Sequence, residues 1–257
     1  MKQIRTLAAA GLLALSTHAC AVGGIADVVV VDRSEGRPLP VYYHQGKAWV
    51  VGKPGNEYSV RIRNRLGEDV LGVVSVDGVN VVSGETATPQ QGGYVVASRG
   101  ELDVSGWRKS LGATAAFYFT ALPDSYAART GRPDNVGVIG VALFKRKRAE
   151  PPAEIAPMAP QSSRQAPAAA ESSGARSDDA LASRAYRPEK LGTGHGRLES
   201  SQARYVDFER ETRYPQETIA IYYDSYRNLV ARGVIREPAP RTPQPNPFPG
   251  FVADPPA

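Results

Sequence analysis

The sequence predicts a mainly β protein: a β-sandwich (immunoglobulin-like or open barrel) with a small C-terminal strand–strand–helix module. Three observations carry this. Short apolar runs rich in Val recur about every ten residues between Val28 and Phe144, Gly, Asp and Pro turns separate them, and hardly any helical period interrupts them.

The runs are read in chain order. Val28–Val31 is continuously β-branched, as in a strand covered on both faces. Lys47–Val51 carries Trp49 as a large apolar anchor, and the cluster Gly52-Lys53-Pro54-Gly55-Asn56 then reverses the chain. Glu57–Arg65 alternates, with Tyr58, Val60, Ile62 and Asn64 on one face and Ser59, Arg61, Arg63 and Arg65 on the other. That pattern marks a half-exposed antiparallel strand whose arginines form its solvated face. Val70–Val76 and Val79–Val82 flank Asp77-Gly78, a two-residue hairpin signal. Asp77, Asn80 and Glu85 do not have EF-hand spacing, and acids in turns usually bond their own backbone, so no calcium site is expected. Tyr94–Ala97 and Glu101–Val104 are short strands, Gly106–Lys109 ends the second of them, and Trp107 plugs one end of the core.

Ala115–Leu122 and Val136–Phe144 are the central strands. Phe117 and Phe119 share a face of the first, while Gly137, Gly140 and Ala142 in the second allow a neighbour to approach closely. Beyond residue 185, Leu191-Gly-Thr-Gly-His-Gly196 reads as a glycine turn, because its spacing and context differ from a dinucleotide fingerprint. Gln202–Glu209 and Thr218–Tyr223 read as strands. Asp224 or Ser225 caps a short helix with the stripe Tyr226, Leu229 and Val230, and Gly233 stops it in a Schellman arrangement with Val234.

Composition divides the chain further. Lys2 and Arg5, the apolar run Leu7–Leu15 and Ala19-Cys20-Ala21 form an export signal over residues 1–21, so the mature chain starts at Val22 and is periplasmic or secreted. Lipidation of Cys20 is the alternative, and it would tether the protein to a membrane. The run is too short for a transmembrane span, and nothing later is long enough. The β-domain covers 25–148, a Pro/Ala/Ser linker 149–185, the small α+β module 186–236 and a Pro-rich tail 237–257.

Several chemistries are excluded on composition. Cys20 is the one cysteine, and with ordinary cleavage it leaves with the leader, so the mature chain then has no disulfide, thiolate metal site or Cys nucleophile. Only His44 and His195 then remain, too few for a multi-histidine metal centre, and no cofactor motif is present. The net charge of +5 becomes +3 once Lys2 and Arg5 are removed. No basic stripe is visible, so no nucleic-acid partner is expected.

The candidate binding residues are Tyr126, Arg129, Arg132, Asp134 and Asn135 in the loop between the central strands, and His195 in the glycine segment. Two readings of the loop stay open. Arg129 or Arg132 pairs with Asp124 or Asp134; or the two arginines and Tyr126 present a planar donor set to a carboxylate, phosphate or sulfated glycan from a rigid scaffold.

The segments GVVSVDGVNVVSG, SGWRKS and FTALPDSYAARTGRPDNVGVIGVALF, with LGTGHG and IAIYYDSYRNLVARGVI, resemble an exported bacterial protein family of uncharacterised function. The resemblance implies that the two blocks form one unit and assigns no catalytic residue. The function expected is non-catalytic binding or envelope interaction, with an envelope protein, glycan or anionic ligand as partner. One alternative is a periplasmic or secreted hydrolase using His195 with a carboxylate such as Asp207 or Glu209. Another is a structural subunit of an envelope assembly. Protein recovered from the exported fraction is expected to begin at Val22 on N-terminal sequencing; a lipid-modified Cys20 at that terminus would establish the tethered form instead.

Overall fold

The computed structural model describes residues 22–148 and 190–237; the expected leader, linker and Pro-rich tail lie outside the described residues, apart from the tail's first residue, Glu237. The chain enters through β1 (Ala26–Asp32), β2 (Arg37–Pro38), β3 (Val41–His44), β4 (Lys47–Val51) and β5 (Glu57–Asn64). β6 (Val70–Val76), β7 (Val79–Asn80), β8 (Tyr94–Val96), β9 (Glu101–Val104) and β10 (Gly106–Ser110) follow. β11 (Ala113–Ala121) and β12 (Val138–Lys145) are separated by the one-turn helix α1 (Tyr126–Arg129). β13 (Leu191–Ser200), β14 (Glu217–Asp224) and α2 (Tyr226–Ala231) complete the fold.

These strands form two sheets packed as a sandwich, without barrel closure. The first runs β10-β11-β5-β1-β2, with β13 also on β11 and β9 also on β5. The second runs β3-β4-β14-β12-β6-β7, with β8 also on β6. The C-terminal strand–strand–helix unit is built into this sandwich. β13 pairs antiparallel with β11, and β14 lies between β12 (antiparallel) and β4 (parallel).

Alternation explains which faces meet. Tyr58, Val60, Ile62, Phe117 and Phe119 from the first sheet pack with Val74, Val76, Ile139, Val141, Ile219, Ile221 and Tyr223 from the second, all buried in one cluster. Full burial of one such aliphatic or aromatic side chain stabilises the fold by about 1.5–3 kcal/mol. Tyr58 stacks on Phe119 with centroids 4.3 Å apart, and Trp107 meets Phe117 edge-on at 5.1 Å. On the outer face, Arg61 forks onto Asp103 and Arg65 stands 3.5 Å from Asp27.

Three local expectations are corrected. The LGTGHG segment is strand β13, not a glycine turn, because its glycines open one face of the strand to bulky neighbours. A Cβ on Gly194 would lie 2.2 Å from the Tyr118 ring, and one on Gly192 would lie 2.6 Å from Ser125 Cβ. Residues 202–209 form no strand. They belong to the connection from β13 to β14, which lays Phe208 on the small cluster of Leu71, Val73, Ala142 and Phe144, with the Arg146 guanidinium 4.7 Å from the Phe208 ring. Gly106–Ser110 continues as strand β10, paired with β11. The helix stop is as expected: Gly233 has φ +70°, and the Val234 N–H donates to Leu229 O.

Asp77 does not bond its own turn. With φ +53° it begins the tight β6–β7 reversal and turns its carboxylate into the sandwich. Oδ1 accepts from the Gly137 N–H and the Tyr223 hydroxyl, and Oδ2 accepts from the Thr193 N–H. Since the Tyr223 hydroxyl spends its proton on Asp77, Thr193 donates to it, and Tyr58 in turn donates to Thr193, at 2.7 and 2.6 Å. Burial, then the Asp77 charge, pushes both phenols well above 10, so they keep these protons. Burial raises the Asp77 carboxyl from 3.8 to about 6, with its three donors opposing the rise.

Asp77→Asn sets an amide N–H₂ against these donors, and a loss of about 2–4 kcal/mol is expected in urea unfolding. A carboxyl raised on folding contributes most when protonated, and that contribution is lost as pH rises from 3.8 through about 6. Wild type should therefore gain about 2 kcal/mol relative to Asp77→Asn between pH 7 and 4.5; a flat difference would place the Asp77 titration elsewhere.

Candidate functional site

Residues 123–135 form an ordered loop with two ends that face different surroundings. Its first half is held by α1, whose N-cap Ser125 accepts from the Ala128 N–H and donates to Leu122 O. Gly192 lets this cap sit directly on β13. The helix thereby lays Tyr126 on Trp107, with centroids 4.7 Å apart, and stacks it on His195 at 5.7 Å. Two of the expected residues thus meet, from positions almost seventy apart in the chain.

Two β-bulges shape the same face. Gly196 and Arg197 of β13 together oppose Ala116, immediately after His195, while Lys109 is the extra residue of β10 between Arg108 and Ser110. Bulges re-aim side chains locally, and here they leave His195 and Lys109 near each other. His195 is held below its usual 6.5, first by burial and then by the charges of Lys109 and Arg129. Lys109 and Arg129 are exposed and form no ion pair among the described residues. The face therefore combines a half-buried neutral imidazole, a tyrosine ring and two cations that have no acidic partner among the described residues.

Arg132 departs from both readings of the loop. It pairs with neither Asp124 nor Asp134, and it is not offered outward: it donates to Gly84 O at 3.0 Å and to Thr130 Oγ1 at 2.9 Å, bracing the loop against the turn after β7. Asp134 and Asn135 lie at the other end, on the rim of a cleft of about 250 Å³ on the second sheet. The expected site thus divides into Tyr126, Arg129 and His195 on one side and Asp134 and Asn135 on the other.

Sequence reasoning missed two aromatic residues that line that cleft, Trp49 and Tyr222. Trp49 and Tyr222 are register partners on β4 and β14, their rings 5.1 Å apart and tilted by 35°. The sequence expectation for Trp49 is a large apolar anchor. Its neighbours Ala48 and Val50 hold the buried phase of β4, so period two puts Trp49 on the outer face, and that phase was the available signal. Trp107 is the core tryptophan, 3% exposed, with its indole N–H donating to Gly194 O. Lys109 had no sequence signal, since a bulge is decided by the pairing of two strands.

The hydrolase alternative finds no assembled pair. No hydrogen bond joins His195 to Asp207 or Glu209 among the described residues; Glu209 holds Lys147, and Asp207 contributes its carbonyl to Arg146. A larger groove of about 720 Å³ lies under residues 201–210. Two of its arginines are committed internally, Arg108 to Ser201 and Tyr94, and Arg210 to the carbonyls of Pro89 and Gln91. No helix among the described residues is long and apolar enough to cross a membrane.

No protein-family model, curated protein or solved structure matches the chain. His195 is expected to titrate below 6.5 in an NMR pH series, and Lys109→Ala/Arg129→Ala should move its midpoint upward by removing two repelling charges; an unmoved midpoint would separate those cations from the imidazole.

Proposed function

We propose that the protein is an exported, non-catalytic binding protein of the periplasm or secreted space that engages an anionic partner of the cell envelope. One observation carries this reading: Lys109 and Arg129, without an acidic partner among the described residues, lie beside the stacked Tyr126–His195 pair. Exposed cations without acidic partners attract an anion, and the guanidinium of Arg129 can hold a carboxylate, phosphate or sulfate through two parallel hydrogen bonds. A hydrolase that pairs His195 with Asp207 or Glu209 would hold that carboxylate within hydrogen-bonding reach of the imidazole. His195 instead has an aromatic ring on one side and two positive charges nearby, which suits recognition.

A structural subunit of an envelope assembly is the second reading. It is favoured by Leu198, Tyr205, Val206 and Tyr214, which are exposed between the end of β13 and the start of β14.

The test compares retention of partners from envelope extract by the intact exported protein and by Lys109→Ala/Arg129→Ala, at low and at raised salt. Arg132 is left untouched because it braces the loop. The reading expects retention that falls with salt and is lost in the double variant. Equal retention by both proteins would overturn it.

A further inference from the structure

We infer that the Tyr126–His195 face takes up a proton together with its anion, so that the anion is held more tightly as the pH falls. The inference rests on the reading of this face as an anion site and adds the condition under which the site is strongest.

The geometry sets the imidazole among positive charges and no negative ones. His195 is half-buried on β13 and stacked by Tyr126 of α1 at 5.7 Å, and Tyr126 in turn lies on Trp107 of β10 at 4.7 Å. The charges that act on the ring are Lys109, the extra residue of the β10 bulge, and Arg129 at the end of α1. His195 forms no ion pair among the described residues.

The other titratable groups on the surrounding elements are engaged elsewhere. On β13 itself, Arg197 and Glu199 close a ring of ion pairs with Glu57 of β5 and with Arg33. Tyr118 of β11 covers Gly194, on the opposite face of β13 from His195. Tyr223 of β14 spends its hydroxyl on Asp77. Asp124, just before α1, is exposed and is not among the charges acting on the ring.

On its own, therefore, the face would place a third positive charge beside two others, in a ring partly withdrawn from water, and the imidazole stays neutral at pH 7. An anion bound by Lys109 and Arg129 reverses that surrounding. It cancels the repulsion and offers a protonated ring N–H a charged acceptor, and an opposite charge within about 4–6 Å favours the charged form by about 1–3 pH units. The coupling is reciprocal: an anion that favours the proton is itself favoured by the proton.

The test titrates the full chain with sodium sulfate, which keeps both its charges between pH 5 and 8. NMR follows the His195 ring and calorimetry follows binding. Sulfate is expected to raise the His195 midpoint by about one unit and to bind about tenfold more tightly at pH 5 than at pH 8. The Asp77 carboxyl titrates in the same range and holds the Thr193 N–H, two residues from His195. His195→Gln keeps that carboxyl and should bind sulfate with a single affinity at both pH values, which assigns the gain to the imidazole. Binding of equal strength at pH 5 and 8 with an unmoved His195 midpoint would overturn the inference and leave the anion reading standing. A gain retained in full by His195→Gln would overturn it too, by assigning the gain to another group. Absence of saturable sulfate binding at both pH values would overturn the anion reading and this inference together.

Discussion

The buried carboxylate of Asp77 is the constraint on which the rest of the arrangement depends. It takes its three hydrogen bonds from β13, β14 and the residue preceding β12, while Asp77 itself lies in the β6–β7 hairpin of the second sheet. Through Tyr223 and Thr193 the chain of hydroxyls continues to Tyr58 in the first sheet. A sandwich held only by apolar contact can slide without a large penalty. A buried anion whose donors lie on several strands cannot, because any slip leaves it without partners in a medium of low dielectric. The network fixes how the C-terminal strands sit against the N-terminal ones.

Both candidate sites inherit this registration. Gly137 and Tyr223, which bind Asp77, also line the cleft, so the carboxylate fixes the backbone at the cleft's inner wall. Thr193 lies two residues before His195 on β13, so the same bond sets the position of the imidazole beneath Tyr126. Residues 123–135 connect the two places, with Arg132 pinned in the middle and the functional candidates at the ends. One rigid scaffold therefore holds both places. The two tryptophans show the contrast: Trp107 is part of the scaffold with its N–H satisfied, and Trp49 lines the cleft with its N–H buried and without an acceptor among the described residues.

Much of the strand content was legible in the chain. The alternation of Tyr58, Val60, Ile62 and Asn64, the Asp77-Gly78 reversal and the Gly233 stop are local signals, and the structure carries each of them out. The glycine segment was misread because Gly carries no side chain from which a period could be recognised. Its meaning comes from Tyr118 on the neighbouring strand and Ser125 on α1, which occupy the space the absent Cβ atoms leave. Residues 202–209 meet neighbouring backbone only near their ends, where the Ala203 N–H donates to Leu111 O and Glu209 O accepts from the Lys147 N–H, so they serve as a crossing between the sheets.

The sequence by itself determined the fold class, most strand positions and, for a clearly alternating strand such as Glu57–Asn64, the face turned inward, because period-two burial is written in neighbouring residues. It also marked Tyr126 and His195 as candidates. Only the tertiary structure decided that these two meet, that Arg132 is a brace and that Trp49 lies beside Tyr222. Those outcomes depend on which strands become neighbours. The insertion of β14 between β4 and β12, and the bulges at Lys109 and Gly196-Arg197, are properties of pairing between distant segments, set by packing and by the buried Asp77 network.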